Sequence, residues 1–89
     1  MNAIITVVGT DQVGIIAKVS AYLAEHKINI IDITQTILSG NFVMMMMVDL
    51  TNSDISIQSN KTELTALGEK LGVSINMMHE RVFSAMHRI

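Results

Sequence analysis

The stretch Gly9-Thr10-Asp11-Gln12-Val13-Gly14 marks a turn between a strand and a helix. Residues 3–8, before it, form an apolar run that is typical of a buried strand. Residues 15–23, after it, carry apolar side chains at helical spacing. Asp11 is the predicted N-cap, because its carboxylate can accept hydrogen bonds from the unpaired amides of the first helical turn. The sequence therefore predicts a strand, a turn and a helix at the start of the chain.

Gly14 lies in the first turn of that helix, where glycine is a poor helix former. A glycine is useful there when a small molecule or another backbone must approach closely. The open amides at a helix N-terminus also bind anions such as the carboxylate of an amino acid. Two interpretations stay open at this point. Either the turn binds a small ligand, or Asp11 only caps the helix and Gly14 only eases the turn.

The composition predicts one small domain, residues 1–89, with more apolar surface than its own core can bury. Hydrophobic residues make up 49% of the chain and charged residues 16%, against roughly 25% charged in an average protein. The core of so small a domain is limited, so the excess predicts an apolar surface for a partner, most simply a second copy. The chain has no cysteine, which excludes disulfides and thiol chemistry.

Charge and hydropathy argue against two classes of partner. The formal net charge of −2 is the wrong sign for a nucleic-acid phosphate surface. Tyr22, Phe42 and Phe83 are the only aromatic residues, too few for the stacking platforms of an RNA-binding sheet. No apolar run approaches the roughly 18 residues that span a bilayer, and no signal peptide is visible at the start. We expect a cytoplasmic protein without nucleic-acid or membrane partners.

Hydrophobic spacing predicts the order strand, helix, strand, strand, helix, strand. The predicted bounds are 2–8, 12–26, 30–38, 42–48, 57–71 and 73–77. The tail carries apolar residues on one helical face and predicts a short C-terminal helix over the open sheet face: Val82, Phe83, Met86 and Ile89. This order is that of an α+β, ferredoxin-like βαββαβ sandwich, in which a four-stranded antiparallel sheet carries both long helices on one face.

The second and third strands have contrasting patterns. In the second, Ile31, Ile33 and Ile37 alternate with polar residues, which predicts a half-exposed strand. The third, residues 42–48, is apolar throughout, which predicts a central strand covered on both faces.

A hairpin loop on Gly40-Asn41 would place Met44 beside Ile37 and Val48 beside Ile33. The same register puts Asp32 opposite Asp49, an unfavourable pair of like charges. Either the register is shifted, or this pair lies at a wet end of the sheet.

No catalytic, cofactor or metal-binding pattern stands out. His26, His79 and His87 are too scattered for a recognised zinc spacing. His26 is expected to interact with the dipole at the end of the first helix. Strand alternation sends the four consecutive methionines, residues 44–47, to opposite faces, so we expect them to pack rather than bind copper. No serine or threonine lies in a motif with histidine and an acid, so we expect a protein that is not an enzyme.

Several motifs, in their order and spacing, resemble an ACT domain, the small-molecule regulatory module attached to many enzymes of amino-acid metabolism. They are Val8-Gly9-x-Asp11-x-x-Gly14-Ile15-Ile16-Ala17, Val19-Ser20-x-x-Leu23-Ala24-Glu25 and Asn29-Ile30-x-Asp32. Asp32-Ile33-x-Gln35-Thr36 and the ending Ala85-Met86-His87-Arg88-Ile89 are similar to small stand-alone bacterial ACT proteins. Val13 departs from the family pattern, since many ACT domains have a proline there.

The resemblance implies domains that pair side by side, extending their sheets across an edge. It also implies an amino acid bound near the first strand–helix turn, with the neighbouring subunit helping to close the site. The ligand-binding residues implied by position are Asp11, Gln12, Val13, Gly14, Ile15, Asn29 and Asp32. A plain turn between helix and strand remains a second interpretation of Asn29.

We therefore expect a non-enzymatic, regulatory homodimer that binds an amino acid or a related small metabolite. The alternative is a structural dimerisation or protein-interaction module that holds no ligand. In either case any regulatory output passes through another, unidentified protein, because the sequence predicts no second domain.

Overall fold

Four strands and three helices follow one another in the predicted order. The computed structural model describes residues 1–10 and 12–86. Its elements are β1 (Asn2–Gly9), α1 (Gln12–Glu25), β2 (Asn29–Leu38), β3 (Asn41–Asp49), α2 (Ile57–Leu71), β4 (Ser74–His79) and α3 (Glu80–Met86). The predicted ends agree to within two residues. Within the described residues, no helix is both long and apolar enough to cross a lipid bilayer.

The strands form one antiparallel sheet in the order β2-β3-β1-β4. The predicted ferredoxin-like α+β fold is therefore confirmed, with β1 and β3 in the centre. One core joins α1, α2 and the sheet, because side chains from both helices pack on the same face of the strands. The largest fully buried apolar side chains of this core are Ile5, Val7, Val19, Leu23, Met44, Met46, Val48 and Leu64.

The β2–β3 hairpin differs from the predicted register by two residues. The loop is Ser39-Gly40 rather than Gly40-Asn41, and Leu38 pairs with Asn41. Both loop residues have positive φ, 53° and 80°, which suits the right-handed twist of a two-residue hairpin. The prediction was wrong because it gave no weight to a non-glycine residue at positive φ.

The observed register removes the expected clash of carboxylates. Asp32 lies opposite Met47, and Asn29 is the residue that faces Asp49. The ladder is also irregular between Ile30 and Asp32, which leaves Ile31 as an extra, unpaired residue in β2. The shift of two residues keeps residues 32–38 on their predicted faces, whereas the extra residue at Ile31 turns Ile30 to the helix side, opposite Val48.

Ile33 now lies opposite Met46 and Ile37 opposite Phe42, rather than beside Val48 and Met44. Met46 and Phe42 are buried core residues, so the two isoleucines do point to the helix side of the sheet, as predicted.

The second strand, β2, is more exposed than predicted, since its alternation predicted only one exposed face. All ten residues of this strand are exposed, including the isoleucines on the helix side. Its large apolar side chains are 40% to 65% exposed: Ile30, Ile31, Ile33, Ile37 and Leu38. The two long helices therefore leave this edge strand uncovered.

The third helix covers part of the opposite face of the sheet. α3 packs against β1 and β4. Ile4 points away from the main core, yet it is only 5% exposed. This agrees with the predicted role of the tail, although Val82 is exposed rather than covered. The side chain of Met86 and all of Ile89, which also belonged to the predicted apolar face, lie outside the described part of the chain.

Candidate functional site

The predicted ligand site begins where β1 ends at Gly9 and α1 begins at Gln12. In an α-helix each N–H donates to the carbonyl four residues before it, so a helix that begins at Gln12 leaves the amides of residues 12–14 without a partner in the helix. Asp11 lies outside the described residues, so its role as N-cap stays a prediction. The side chains of Gln12 and Val13 also lie outside the described part, although both residues belong to α1.

The two glycines that flank this turn have different surroundings. A Cβ on Gly9 would collide with the side chain of Val73 and press on Ile15, so packing within the domain requires glycine there. A Cβ on Gly14 would meet nothing within 4 Å, and Gly14 is exposed. Packing among the described residues therefore gives no reason for a glycine at position 14.

Ile15 contributes to the turn only through its backbone. Its side chain is buried in the core beside Val19 and Leu23. Ile15, one of the predicted ligand-binding residues, is thus a core residue, and its amide lies in the first turn of the helix.

Asn29 and Asp32 lie at the other end of the sheet. Asn29 pairs with Asp49, which pairs with Asn2 at the start of β1, whereas the turn follows Gly9 at its end. β1 has 8 residues, so at about 3.3 Å per residue its ends are roughly 23 Å apart. A single chain therefore does not bring all the predicted site residues together.

The two polar residues of β2 are both exposed. The Oδ1 atom of Asp32 accepts a hydrogen bond of 2.9 Å from the backbone N–H of Ile33. The carboxylate opposite Asn29 is already engaged, because Asp49 accepts bonds from the backbone N–H and the hydroxyl of Thr51. These bonds lower the pKa of Asp49. Asn29 thus lies beside a satisfied carboxylate, with its own side chain exposed.

A small depression lies at the turn's end of the sheet, and the sequence did not predict it. It has a volume of about 140 Å³ and is lined by Gln35, Thr36, Ile37 and Phe42. Ile37 pairs with Phe42, which in turn pairs with Gly9, so the depression shares its end of the sheet with the turn. Only the strand pairing shows that the residues of this depression lie near the turn.

A larger depression, of about 450 Å³, lies along the outer face of α2 between Gln58 and Glu69. It contains none of the predicted site residues and is lined by surface side chains of a single helix. Size alone therefore does not mark the site in this domain.

The far end of α1 carries a polar cluster built around His26. Its Nδ1 atom lies 2.9 Å from Oδ1 of Asp54, and its Nε2 atom lies 3.6 Å from Oε1 of Glu63. The hydrogen bond to Asp54 is the largest cause of a raised pKa of His26; burial opposes it, and the charges of nearby carboxylates add to it. The sequence suggested only the helix dipole as a partner, because both carboxylates are distant along the chain.

Tyr22 and Asn60 continue this cluster into the interior. The Tyr22 hydroxyl donates a hydrogen bond of 2.7 Å to Oδ1 of Asn60, a fully buried side chain. The amide of Asn60 donates to Oγ of Ser53 and to the carbonyl of Ile55. Burial first, and then nearby carboxylates, raise the pKa of Tyr22 to about 12. Its hydroxyl thus remains a donor at physiological pH.

In the part of the chain that the structure describes, no group of three His, Asp or Glu side chains could hold a metal ion. The His26 cluster is not such a metal site, because its two carboxylates approach different ring nitrogens and do not converge on one point.

Comparison with known proteins gives consistent matches. Residues 2–78 match the family model of the ACT domain. A UPF0237 protein of Clostridium acetobutylicum is 55% identical over 89 residues, which span 100% of both chains. The structure of an ACT domain protein from Streptococcus pneumoniae superposes with a TM-score of 0.82 at 38% identity, covering 100% of this chain and 97% of that one.

A more distant structural match shows the fold alone. A formyltetrahydrofolate deformylase from Pseudomonas syringae superposes with a TM-score of 0.77 at 23% identity. The match covers 86% of this chain but 26% of that enzyme. The same fold therefore also occurs as one part of a longer protein.

Proposed function

Since this chain belongs to the ACT domain family, we propose that it is a regulatory homodimer that binds an amino acid or a related small metabolite. The observation that carries the proposal is the uncovered edge strand β2, together with the wide separation of Asn29 from the β1–α1 turn. Pairing two copies along β2 would cover the strand and also complete the site. No catalytic role is proposed.

The edge of β2 has the properties of a surface that pairs with another strand. An edge strand presents a row of unpaired N–H and C=O groups, and proteins commonly protect such edges with charges or proline. β2 is ten residues long, contains no proline and has Asp32 as its one charged residue. Its exposed isoleucines and leucine supply the apolar area that association requires.

A twofold axis through Thr34 would pair the two β2 strands antiparallel. It would place Ile33 opposite Gln35 of the second copy, Ile37 opposite Ile30, and Leu38 opposite Asn29. The extra residue at Ile31 keeps each of these pairs on a common face of the sheet. Two four-stranded sheets would then join into one, with the helices of both copies on the same side.

This arrangement would bring Asn29 of the second copy to the end of β2 that lies nearest the turn. The carboxylate of a bound amino acid would accept hydrogen bonds from the open amides at the start of α1. Asp11 would pair with its ammonium group, and Asn29 of the second copy would offer both a donor and an acceptor. Asp32 of that copy lies three residues further along the same strand. The dimer would hold two equivalent sites.

A ligand that bridges two subunits can act as a regulator. It would favour the dimer geometry in which both halves of the site fit it, and a partner protein could distinguish that geometry from the unliganded one. The ligand affinities of the two geometries set the size of this effect.

The test is a thermal-shift screen of the purified protein against the twenty amino acids and related metabolites. At a hundred times its dissociation constant, a ligand stabilises the native state by about 2.7 kcal/mol, which corresponds to a shift on the order of 10 °C for a domain of this size. A selective shift that disappears in Asp11→Ala, while sedimentation still detects a dimer, supports the proposal. An undiminished shift in that variant contradicts the proposed site.

Gly14→Ala supplies a second, independent test of the turn. The methyl group meets open space in this chain, and alanine favours the helix, so the unliganded protein should be slightly more stable. If a ligand occupies that space, the same variant should bind it more weakly. A variant that is more stable and binds equally well would indicate that Gly14 does not contact the ligand.

The alternative is a dimerisation or protein-interaction module without a ligand. It is favoured by the same exposed apolar edge, because strand pairing along β2 requires no bound molecule. A screen with no shift, together with an intact dimer, would support this alternative.

A further inference from the structure

The polar cluster at the C-terminal end of α1 joins three segments that are separate in the sequence. We propose that His26, Asp54 and Glu63 form a proton-controlled clamp, which fastens the end of α1 to α2 and to the loop that precedes it. The clamp is closed when the imidazole of His26 carries two protons, and it loosens as the pH rises. This inference does not depend on the proposed ligand site.

The geometry gives each ring nitrogen its own carboxylate. Nδ1 of His26 lies 2.9 Å from Asp54, in the loop, and Nε2 lies 3.6 Å from Glu63, on α2. A neutral imidazole has one N–H and can donate to only one of these groups, whereas the imidazolium can donate to both. Complete closure of the clamp therefore requires the second proton.

Packing holds the ring in place between these groups. The side chain of His26 is 16% exposed. Its ring lies 4.5 Å from the ring of Tyr22, centroid to centroid, at an angle of 47°. The hydrogen bond from Tyr22 to Asn60 fixes the tyrosine in turn. The imidazole is thus positioned before it gains its proton.

The charges that act on the ring all favour its protonated form. Asp54 and Glu63 contact it directly, and Glu25 at the end of α1 adds a third negative charge. Tyr22, the other titratable group in contact, stays neutral because its pKa is raised to about 12. Taken together, these groups hold the pKa of His26 above its ordinary value of 6.5, with the hydrogen bond to Asp54 as the largest cause.

The sign of the pH effect follows from this direction. A pKa that is higher in the folded state than the ordinary 6.5 means that folding favours the protonated ring. The stabilisation is fully present below about pH 6.5 and is lost as the pH rises through the folded-state pKa.

The loosened state should remain folded. The bonds from Tyr22 to Asn60 and from Asn60 to Ser53 and Ile55 do not involve His26. Asp54 and Glu63 are 51% and 48% exposed, so water can solvate both carboxylates after release. We therefore expect a local change in the loop at residues 51–56 rather than global unfolding.

The first test is a nuclear magnetic resonance titration of the imidazoles in the full chain, with His26 assigned from the spectrum of His26→Gln. The His26 midpoint should lie above 6.5 and should fall in both Asp54→Asn and Glu63→Gln, further in the first. His79, which lies on β4 outside the cluster, supplies the reference signal. A His26 midpoint that is unchanged in both variants would overturn the proposal.

The second test measures opening of the loop by amide hydrogen exchange at pH 6 and pH 8.5, corrected for the intrinsic pH dependence of exchange. Protection of the Ser53 and Ile55 amides should be lower at pH 8.5 in the wild type, and independent of pH in His26→Gln. His79→Gln should retain the wild-type pH effect. Equal protection at both pH values in the wild type would show that the proton does not control the clamp.

Discussion

The two edge strands of the sheet, β2 and β4, differ in how far the rest of the chain covers them. β4 is covered by α2 and contacted by α3, and it buries Ile75 and Met77. β2 is longer, more apolar in its exposed residues, and uncovered along its whole length. One edge is therefore covered by the chain itself, and the other is left exposed.

The difference arises from where the helices fall. α2 leads directly into β4 through Gly72 and packs on that strand, whereas neither long helix buries a residue of β2. The apolar excess seen in the composition is thus not spread over the surface. It is concentrated on one strand, which makes the contrast between the two edges open to experiment.

The largest expected effect comes from charging the uncovered edge. Ile33→Glu combined with Ile37→Glu should weaken the dimer roughly a thousandfold, about 4 kcal/mol, because apolar contact is lost and carboxylates meet across the twofold axis. Analytical ultracentrifugation over a dilution series gives the dissociation constant.

The matched control is Ser74→Glu combined with Asn76→Glu, which charges exposed positions of β4. This variant should associate like the wild type. If instead the β4 variant dissociates and the β2 variant does not, the assignment of the two edges is reversed.

The next effect concerns the free energy of unfolding, and here the larger loss is expected from a substitution on β4 rather than on β2. Met77→Ala removes a buried side chain of β4 and should lower the free energy of unfolding by about 2–5 kcal/mol. Leu38→Ala, at the exposed end of β2, should cost less than about 1 kcal/mol. Urea unfolding of both, in the monomeric Ile33→Glu, Ile37→Glu background, removes any contribution from the dimer. Equal losses would mean that β2 is buried within the monomer.

A smaller effect tests whether the uncovered edge also serves ligand binding. Once the screen supplies a ligand, Asn29→Ala should weaken its binding roughly tenfold, because about 1.4 kcal/mol is typical of a hydrogen bond to a charged group. Titration calorimetry measures the affinity. Asn76→Ala, at an exposed position of β4, is the control and should bind as the wild type does. An unaltered affinity for Asn29→Ala in an intact dimer would remove Asn29 from the site.

The smallest expected effect concerns the contact by which His26, at the end of α1, is joined to α2. The urea midpoint of the wild type should fall relative to that of His26→Gln as the pH rises from 6 to 8.5, because the raised pKa of His26 favours the folded state only while the ring is protonated. The difference should be small, since both carboxylates are about half exposed. Parallel curves for the two proteins would exclude a contribution of His26 to the pH dependence.

The sequence was sufficient for the architecture because the architecture depends on periodicity. The unbroken apolar run of β3 predicted a central strand, which the sheet confirms, whereas the alternation in β2 predicted a half-exposed strand and all ten of its residues are exposed. What periodicity could not specify was the loop that sets the register. Ser39 adopts positive φ here, a conformation that favours glycine and asparagine, and the two-residue error in pairing followed from that residue.

The candidate site was less accessible to sequence reasoning because it depends on distances between elements. Asn29 and Gly14 could be selected as residues, but their separation across the sheet emerged only from the pairing of Asn2, Asp49 and Asn29. His26 gave no local sign of its partners, since Asp54 is 28 residues away along the chain. Side-chain clusters of this kind become visible only when the fold brings distant segments together.

The extra residue at Ile31 has a consequence for fidelity of assembly. In a regular strand, sliding one copy along the other by two residues restores the alternation of faces, so several alignments would compete. The extra residue makes these alignments unequal, because each one sets Ile31 against different residues of the second copy, and the proposed pairing sets it against residues 36–37. The bulge would thus help to favour one alignment over the others, while the twofold symmetry of the contact limits the assembly to two chains.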